Sequence, residues 1–282
     1  MRRTITRMSE ILWTASELSA ALESSRPPVL LDVRWVLGDT EGHRKYVDAH
    51  IPGAVYVDLH TELAGHGDPT DGRHPLPDIA DLQANARRWG IDDESTVVAY
   101  DATGNLAAAR AWWLLRWAGL STVRLLDGGL GAWTAAGRET RSGEETAARV
   151  GTVTLSPGHL PTVSSDEVAT FVGTVLDARA GERYRGEVEP IDPRAGHIPG
   201  AISAPTSDNL TRDGVFADPS TLRDRFRALG IRPGDQVAVY CGSGVTAAHQ
   251  IAALAVAGVD ATLYPGSWSA WSSDPDRPVE TS

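Results

Sequence analysis

Cysteine, long apolar runs and positive charge are all scarce in this sequence. Cys241 is the one cysteine among 282 residues, which excludes an internal disulfide and a zinc site built from several thiolates, and fits a reducing compartment. No run of about 18 apolar residues occurs, so we expect no transmembrane helix. The basic segment 1–7 is not followed by an apolar stretch, so we expect no signal peptide and a cytoplasmic location.

The charge of the chain is one-sided. It has 37 acidic and 26 basic residues, a formal net charge of −11, which makes nucleic acids and anionic membranes poor partners. Hydrophobic residues make up 41% and charged residues 22% of the chain, as in ordinary soluble globular proteins. A chain of this length holds one large domain or two of about 140 residues each.

An internal repeat decides between these two arrangements. Four segments of the first half recur in the same order in the second, which indicates a duplicated domain. The pairs are Leu30–Arg34 with Val175–Arg179, His50–Ala54 with His197–Ala201, Val97–Asp101 with Val237–Cys241, and Gly128–Trp133 with Gly266–Trp271. We place an N-terminal domain at residues 10–137, a linker rich in Gly, Thr, Ser and Glu at 138–160, and a C-terminal domain at 161–282. Within the linker, residues 150–155 are a candidate extended strand.

Each half has the pattern of an α/β domain, in which short β-branched runs alternate with Ala-rich segments. Cys241 follows one of the predicted strands, and ligands bind beyond the carboxyl ends of parallel strands, so we expect chemistry at this position. We predict two mainly parallel sheets flanked by helices. The predicted strands are Val97–Tyr100, Val123–Leu126, Val237–Tyr240 and Ala261–Tyr264, and the predicted helices are Leu106–Ala118 and Thr246–Ala257.

The loop after the cysteine is suited to holding negative charge. Glycines on both sides of Ser243 let the backbone curl tightly. Inward-pointing amides, together with the N-terminus of the following helix, would form an anion nest that favours a nucleophilic thiolate and stabilises a persulfide. The hydroxyls of Ser243 and Thr246 are further donors. A buried structural cysteine is the alternative, and a position between strand and helix weighs against it. The loop reads Cys241, Gly242, Ser243, Gly244, Val245, Thr246.

These motifs resemble the rhodanese superfamily. The Cys-Gly-Ser-Gly-Val-Thr loop resembles the active-site loop of 3-mercaptopyruvate sulfurtransferases, and the His-Ile-Pro-Gly-Ala and Leu-Asp-Val/Ala-Arg segments resemble the two rhodanese signature regions. The resemblance runs from about Leu30 to Trp271. It implies two tandem rhodanese-like domains, of which the first is non-catalytic because Asp101 stands where the second has Cys241. It also implies a sulfurtransferase that carries sulfur as a Cys241 persulfide, without a metal or organic cofactor.

The resemblance leaves two sulfur donors to weigh. Thiosulfate sulfurtransferases of the family place basic residues just after the cysteine, whereas Gly242 and Ser243 are uncharged, which favours the monocarboxylate 3-mercaptopyruvate. By resemblance Arg183 binds the donor carboxylate through two parallel hydrogen bonds. The family's second arginine is replaced by Ile191, and Arg194 is the nearest substitute. Solvent-exposed arginines are the alternative interpretation.

A histidine of the first half is the candidate proton donor. By resemblance this histidine, His50, reaches across to the loop serine, Ser243, and pairs with an upstream acid. The three residues together would protonate the enolate leaving group. His197 recurs in the same motif, so the alternative is that both histidines are structural. Arg73 and His74 are further candidates on the substrate side. The members of the expected relay are His50, Ser243 and either Asp39 or Glu41.

The sulfur acceptor must come from outside the chain, because no second thiol is available. We expect a thiol such as thioredoxin, or cyanide. A phosphatase of related fold is the first rival function, but Ala247 stands where its phosphate-binding arginine is required. A thiosulfate-specific rhodanese and a non-enzymatic sulfur-carrier or regulatory module remain as alternatives.

Overall fold

Two parallel sheets, one in each half of the chain, organise the computed structural model, which describes residues 10–282. The strands are β1 Leu12–Trp13, β2 Val29–Asp32, β3 Ala54–Tyr56, β4 Val97–Tyr100, β5 Val123–Leu126, β6 Thr174–Asp177, β7 Ile202–Ser203, β8 Val237–Tyr240 and β9 Thr262–Leu263. The strand order is β1-β5-β4-β2-β3 in the first sheet and β7-β6-β8-β9 in the second, and every pairing between these strands is parallel.

Helices follow the strands as the alternating pattern predicts. Two of them begin with the same capping box, Thr14 with Glu17 and Ser164 with Glu167, which satisfies amides that a helix start leaves unpaired. Short 3-10 helices lie at Pro69–Asp71 and Thr206–Asn209. The α-helices are α1 Ala15–Leu22, α2 Gly42–Asp48, α3 Leu59–Glu62, α4 Ile79–Arg88, α5 Ala108–Trp117, α6 Gly129–Ala135, α7 Ser165–Ala169, α8 Gly181–Tyr184, α9 Pro219–Ala228, α10 Thr246–Ala257 and α11 Ser267–Ser273.

The duplication seen in the sequence is a duplication of structure. In the first sheet Asp32 is in register with Tyr100, and in the second Asp177 is in register with Tyr240. The hydroxyl of each tyrosine accepts a hydrogen bond from the backbone N–H that follows the repeated histidine, at 3.0 Å in the first half and 3.2 Å in the second. The predicted α/β fold, with β4, β5 and β8 at the expected bounds, is confirmed.

One hydrophobic core joins the two halves. Helices α5 and α10 pack against each other, and residues of both sheets belong to the same buried cluster. The α5 tryptophans Trp112, Trp113 and Trp117 are all buried in it, as expected for a core face rather than a binding platform. Because α5 and α10 each follow the loop at the end of a central strand, this packing brings the two loops towards each other.

The segment between the halves is an extended arm rather than a strand. The N–H of Gly151 donates to the Arg87 carbonyl at 2.7 Å and that of Val153 to the Ile91 carbonyl at 3.1 Å. Val153 is fully buried, so the arm is fixed to the first half. Within residues 10–282 no helix is long and apolar enough to cross a membrane.

The order of the second sheet positions a crevice. From β6 the chain continues to β7 on one side, and from β8 it continues to β9 on the other side. The chain therefore leaves these two neighbouring strands in opposite directions. Ligands of open α/β sheets bind at such a switch point, beyond the carboxyl ends of the strands. Ala178 follows β6 and Cys241 follows β8, so both lie at the expected place.

Candidate active site

Cys241 lines a cavity of about 270 Å³ at the carboxyl ends of β6 and β8. The residue is only 1% exposed, yet the cavity reaches Leu37, which is 43% exposed. Both halves contribute to the wall, so the site lies between them. The lining residues are Trp35, Leu37, Arg73 and Leu106 from the first half, and Ala178, Arg179, Ala180, Arg183, Thr206, Ser207, Cys241, Gly242, Ser243, Val245 and Thr246 from the second.

The start of α11 forms hydrogen bonds with the backbone of the cysteine loop. The N–H of Cys241 donates to the Ser267 hydroxyl at 3.2 Å, and its carbonyl accepts from the N–H of Trp268 at 3.0 Å. The carbonyl of Gly242 accepts from the N–H of Ser269 at 2.9 Å. These three hydrogen bonds fix the backbone of the loop at Cys241 and Gly242.

Gly244 is required by the turn of this loop. Its φ is +78°, a left-handed conformation that side chains disfavour. A Cβ here would also lie 2.5 Å from the Pro265 carbonyl oxygen and 3.2 Å from a guanidinium nitrogen of Arg110. The glycine therefore permits both the curl and a close approach from the first half.

The equivalent loop of the first half shows what this curl binds. There the Asp101 carboxylate accepts four backbone hydrogen bonds, at 2.7, 2.8, 2.8 and 3.1 Å. Gly104 of that loop has a φ of +72°, close to the +78° of Gly244. The first-half loop is thus an anion nest filled by its own aspartate. The four donors are the N–H groups of Thr103, Asn105, Ala107 and Ala108.

In the second half the nest has no such internal occupant. By the repeat, Ser243, Val245 and Ala247 match the first three donors. Among the contacts between described residues, none of these three N–H groups donates a hydrogen bond to the protein. The two loops differ in backbone, since φ is +70° at Asn105 and −80° at Val245. An aspartate occupies the first loop, whereas the second carries the shorter Cys241 side chain and has amides without a protein acceptor.

A buried arginine of the first half supports the cysteine loop. Arg110 lies on α5 and is fully buried, and its Nη1 donates to the Gly244 carbonyl at 3.1 Å. Its other hydrogen bonds also go to carbonyl oxygens, those of Leu63, His74 and Pro75. Burial lowers the pKa of Arg110 to about 10, and the negative charge of a Cys241 thiolate acts in the opposite direction.

Two further arginines lie close to the loop, Arg73 from the first half and Arg183 from the second. A Cβ at Gly242 would lie 3.2 Å from Nη2 of Arg73 and 3.3 Å from Nη1 of Arg183. A side chain at this position would crowd both guanidinium groups, so Gly242 keeps the approach open. The structure places Arg183 at the cavity as the sequence predicted, and it adds Arg73 as its companion.

Carboxylates hold both arginines in place. Arg183 donates to Glu189 at 2.6 Å and to Asp192 at 3.2 Å, and Arg73 is paired with Asp192. Deeper in the wall, Arg179 pairs with Asp177 at 2.6 Å and with Glu189 at 3.4 Å. Burial raises the pKa of Asp192, while the facing arginines act against this. Three guanidinium groups and three carboxylates thus form one balanced cluster on this wall.

The loop serine contacts a histidine of the first half. Its hydroxyl oxygen lies 2.7 Å from Nδ1 of His74, and Nε2 of His74 lies 3.0 Å from Nδ1 of His60. The indole N–H of Trp35 donates to Nε2 of His60 at 2.9 Å. Burial, followed by the charges of nearby Arg110, His60 and Arg73, lowers the pKa of His74 to about 3, so His74 is neutral at neutral pH. The chain therefore runs through Trp35, His60, His74 and Ser243.

The expectation that His50 pairs with Ser243 was wrong. Nδ1 of His50 lies 2.9 Å from the Tyr46 carbonyl oxygen, and the ring stacks on that tyrosine at 4.2 Å. His197 repeats both contacts with Tyr184, at 2.8 and 3.8 Å. A contact made identically in both halves fixes the turn before Pro-Gly, which is the structural alternative.

The expected acid of the relay is also placed elsewhere. Asp39 is paired with Lys45 and accepts from the N–H of Glu41 at 2.8 Å. The Lys45 hydrogen bond lowers the pKa of Asp39. Glu41 in turn pairs with Arg44. Both acids stabilise the start of α2, and the position next to His74 is taken by His60.

Arg194 does not replace the second substrate arginine. Its guanidinium donates to four backbone carbonyls around the end of α11, including those of Trp271 at 2.9 Å and Arg277 at 2.8 Å. Carbonyl groups at a helix end lack intrahelical partners, and a cation there is stabilising. Arg194 is therefore a C-terminal anchor of α11, and the expectation that it binds substrate was wrong.

The comparison with family models decides what this architecture is. The model of the rhodanese-like domain matches twice, at residues 14–136 and 164–274. The chain belongs to the rhodanese family. Its two rhodanese domains correspond to the two sheets, and only the second has a cysteine in the loop after the central strand.

Full-length relatives agree with this family and identify the chain as a sulfurtransferase. It is 48% identical over 275 residues to a putative thiosulfate sulfurtransferase, SseB, of Mycobacterium tuberculosis, covering 96% of each protein. It is also 48% identical over 280 residues to a probable 3-mercaptopyruvate sulfurtransferase of Pseudomonas aeruginosa, covering 96% of this chain and 98% of that protein. The crystal structure of the 3-mercaptopyruvate sulfurtransferase SseA of Escherichia coli matches with a TM-score of 0.80 at 29% identity, over 91% of this chain and 98% of that one.

Three residues of this rhodanese site had no signal strong enough to find them from the sequence. Arg110, His60 and Trp35 lie in the half without the cysteine, and none belongs to the repeated motifs. Arg73 and His74 were noted only as further candidates. Trp35, Arg73, His74 and Arg110 lie against the second half, and His60 contacts His74, because α5 packs on α10 and the two halves share a core.

Proposed function

We propose that the chain transfers sulfur from 3-mercaptopyruvate to an external acceptor through a persulfide on Cys241. The single observation that carries this proposal is that the N–H groups of Ser243, Val245 and Ala247, at the positions that bind Asp101 in the first half, donate to no acceptor within the described residues. A curl that binds a carboxylate in one domain suits the terminal sulfur of a persulfide in the other.

The first half-reaction balances without any cofactor. The Cys241 thiolate attacks the sulfur of the donor, an S–S bond forms, and the S–C bond breaks with its electron pair passing to carbon. The resulting enolate takes up the proton that the donor thiol loses, which gives pyruvate and an ionised persulfide. Backbone N–H groups at the nest stabilise the negative charge where it develops.

The charges around the cavity favour a singly charged donor. Arg73 and Arg183 can each present N–H groups to a carboxylate, and both overhang Gly242. Their charges are already balanced by Glu189 and Asp192, so these two arginines offer no net positive charge to a dianion. This supports 3-mercaptopyruvate over thiosulfate.

Thiosulfate is the second candidate donor. The observation that favours it is the 48% identity to a protein named a putative thiosulfate sulfurtransferase, equal to the identity with the mercaptopyruvate relative. With thiosulfate the same thiolate would release sulfite, and the persulfide would be the same.

The acceptor in the second half-reaction is an external nucleophile. A thiol such as that of thioredoxin, or cyanide, attacks the outer sulfur and returns the Cys241 thiolate. With cyanide the product is thiocyanate, and charge is conserved. A cytoplasmic location, where thiols are reduced, fits this scheme.

The deciding experiment compares the two donors on one enzyme preparation. Pyruvate release from 3-mercaptopyruvate and sulfite release from thiosulfate are measured with cyanide as acceptor, and the Cys241→Ser variant is the control for both. We expect a higher kcat/KM with 3-mercaptopyruvate, and mass spectrometry should find one added sulfur atom at residue 241. A higher kcat/KM with thiosulfate would overturn the donor assignment, and an unmodified Cys241 after treatment with either donor would overturn the mechanism.

A further inference from the structure

A tryptophan stands at the end of the hydrogen-bonded chain that leads to the loop serine. The links are Trp35 Nε1 to His60 Nε2 at 2.9 Å, His60 Nδ1 to His74 Nε2 at 3.0 Å, and His74 Nδ1 to Ser243 Oγ at 2.7 Å. Trp35 also meets the edges of both imidazole rings, with centroids 5.8 and 5.6 Å apart. The two histidine rings are therefore fixed in orientation as well as in contact.

An indole N–H can only donate, and this fixes the direction of every bond in the chain. Because Trp35 donates to Nε2 of His60, that nitrogen carries no proton. The neutral ring then carries its proton on Nδ1, which donates to Nε2 of His74. His74 in turn carries its proton on Nδ1 and donates it to Ser243.

We propose that Trp35 and His60 are positioning residues that fix His74 as a hydrogen-bond donor to Ser243, so that the serine hydroxyl donates its own hydrogen into the cavity of Cys241. An acid in the place of His60 would impose the opposite direction, because a carboxylate only accepts. His74 would then donate to that acid, and its Nδ1 would accept from the serine.

The surroundings of His74 agree with this direction. The ring is buried, and the groups that face it are Arg110, His60 and Arg73, with the aromatic ring of Trp35 at its side. None of these groups is an anion, so none of them favours an imidazolium; Asp39, which lines the same cavity as His74, is paired with Lys45. A neutral His74 has one proton, and the chain places it on Nδ1.

The consequence for the site concerns Ser243. Its hydroxyl oxygen already accepts from His74, and the residue lines the same cavity as Cys241. Its free hydrogen can therefore bond to a negatively charged sulfur or to the oxygen of a departing enolate. Ser243 in this arrangement is a fixed donor, not an acid that His74 must activate.

The role in turnover rests on the proposed function, but the direction of the hydrogen bonds does not. Two-bond ¹H–¹⁵N spectra of the intact protein report which nitrogen of each neutral histidine carries the proton, without any sulfur donor. We expect His74 and His60 of the unmodified protein to be protonated at Nδ1. Protonation of His74 at Nε2 would overturn the proposal, whereas failure of Cys241 to take up sulfur would overturn only the proposed function.

Substitutions at His60 test whether this residue sets the direction of the hydrogen bonds of His74. His60→Asp should move the His74 proton to Nε2 and introduce a histidine ionisation into the pH profile of kcat/KM, because the new carboxylate favours an imidazolium. His60→Asn is the matched control: its side-chain N–H can still donate to His74, so the proton should stay on Nδ1. Identical His74 spectra in the two variants would contradict the proposal.

Trp35→Phe removes the donor that sets the direction. We expect His60 and His74 to populate both tautomers, and kcat to fall about fivefold, as for the loss of one hydrogen bond, with a smaller change in KM. A merely structural tryptophan would leave the histidine tautomers unchanged, and that result would also overturn the proposal.

Discussion

Nη1 of Arg110, in the half without the cysteine, lies 3.1 Å from the carbonyl oxygen of Gly244, in the middle of the cysteine loop. The guanidinium is fully buried, and all of its hydrogen bonds described here go to backbone carbonyls. Its charge thus faces the site at which the Cys241 thiolate must form. The half without the cysteine therefore supplies a buried positive charge beside the cysteine loop.

Replacing this arginine should affect both stability and reactivity. Arg110→Met leaves the buried carbonyls of Leu63, His74 and Gly244 without their side-chain donor, so the free energy of unfolding should fall by about 2–4 kcal/mol. Alkylation of Cys241 by iodoacetamide at neutral pH should slow about tenfold, because a nearby cation favours the thiolate. Arg110→Lys keeps the charge and should recover most of the alkylation rate. An unchanged rate in Arg110→Met would show that the guanidinium only holds the loop.

The filled nest of the first half should be a measurable source of stability. Asp101→Asn replaces a carboxylate that accepts four backbone hydrogen bonds with a group that has one acceptor oxygen and an N–H₂ facing two donors. We expect the free energy of unfolding in urea to fall by about 1–3 kcal/mol. Asp213→Asn, at an exposed loop position, is the matched control and should change it little. Equal effects of the two substitutions would argue against an anion nest at Asp101.

The two arginines above Gly242 should govern donor binding. Arg73→Lys and Arg183→Lys each remove the paired N–H groups that suit a carboxylate. We expect KM for 3-mercaptopyruvate to rise about 10- to 100-fold in each variant, the range for a hydrogen bond to a charged group. Arg185→Lys is the control, since Arg185 is paired with Glu187 on the surface. A comparable rise in KM in Arg185→Lys would contradict the assignment.

A carboxylate between the halves should make stability depend on pH. Asp127 of the first half accepts from the N–H of Phe216 in the second at 2.9 Å, and burial raises its pKa from 3.8 to about 6. The folded state therefore holds this proton more tightly than the unfolded chain does. Its contribution to stability is complete below pH 4 and is lost as the pH rises through 6.

Asp127→Asn removes that titration. From pH 4 to pH 7 the free energy of unfolding of the variant, relative to the unmodified protein, should rise by about 2 kcal/mol. Urea unfolding at the two pH values measures it. A difference that stays constant with pH would show that Asp127 ionises as in the unfolded chain.

The sequence by itself determined the features that repeat or that are local. Paired segments established two α/β domains, and Cys241 at the end of a strand predicted the position of the chemistry, because strand ends and glycine turns follow from short-range preferences. The contrast of Asp101 with Cys241 predicted which domain is catalytic. Arg183 was predicted from its resemblance to a family segment, and it lines the cavity of Cys241.

Only the tertiary structure decided which residues of the first half reach the cysteine. His50 and Arg194 were plausible by type and position, but both donate to backbone carbonyls elsewhere. His74 and Arg110 contact the loop instead, and His60 contacts His74, since α5 packs on α10 and brings distant segments together. Contacts across a domain interface depend on how two surfaces fit, which no local preference of the chain encodes.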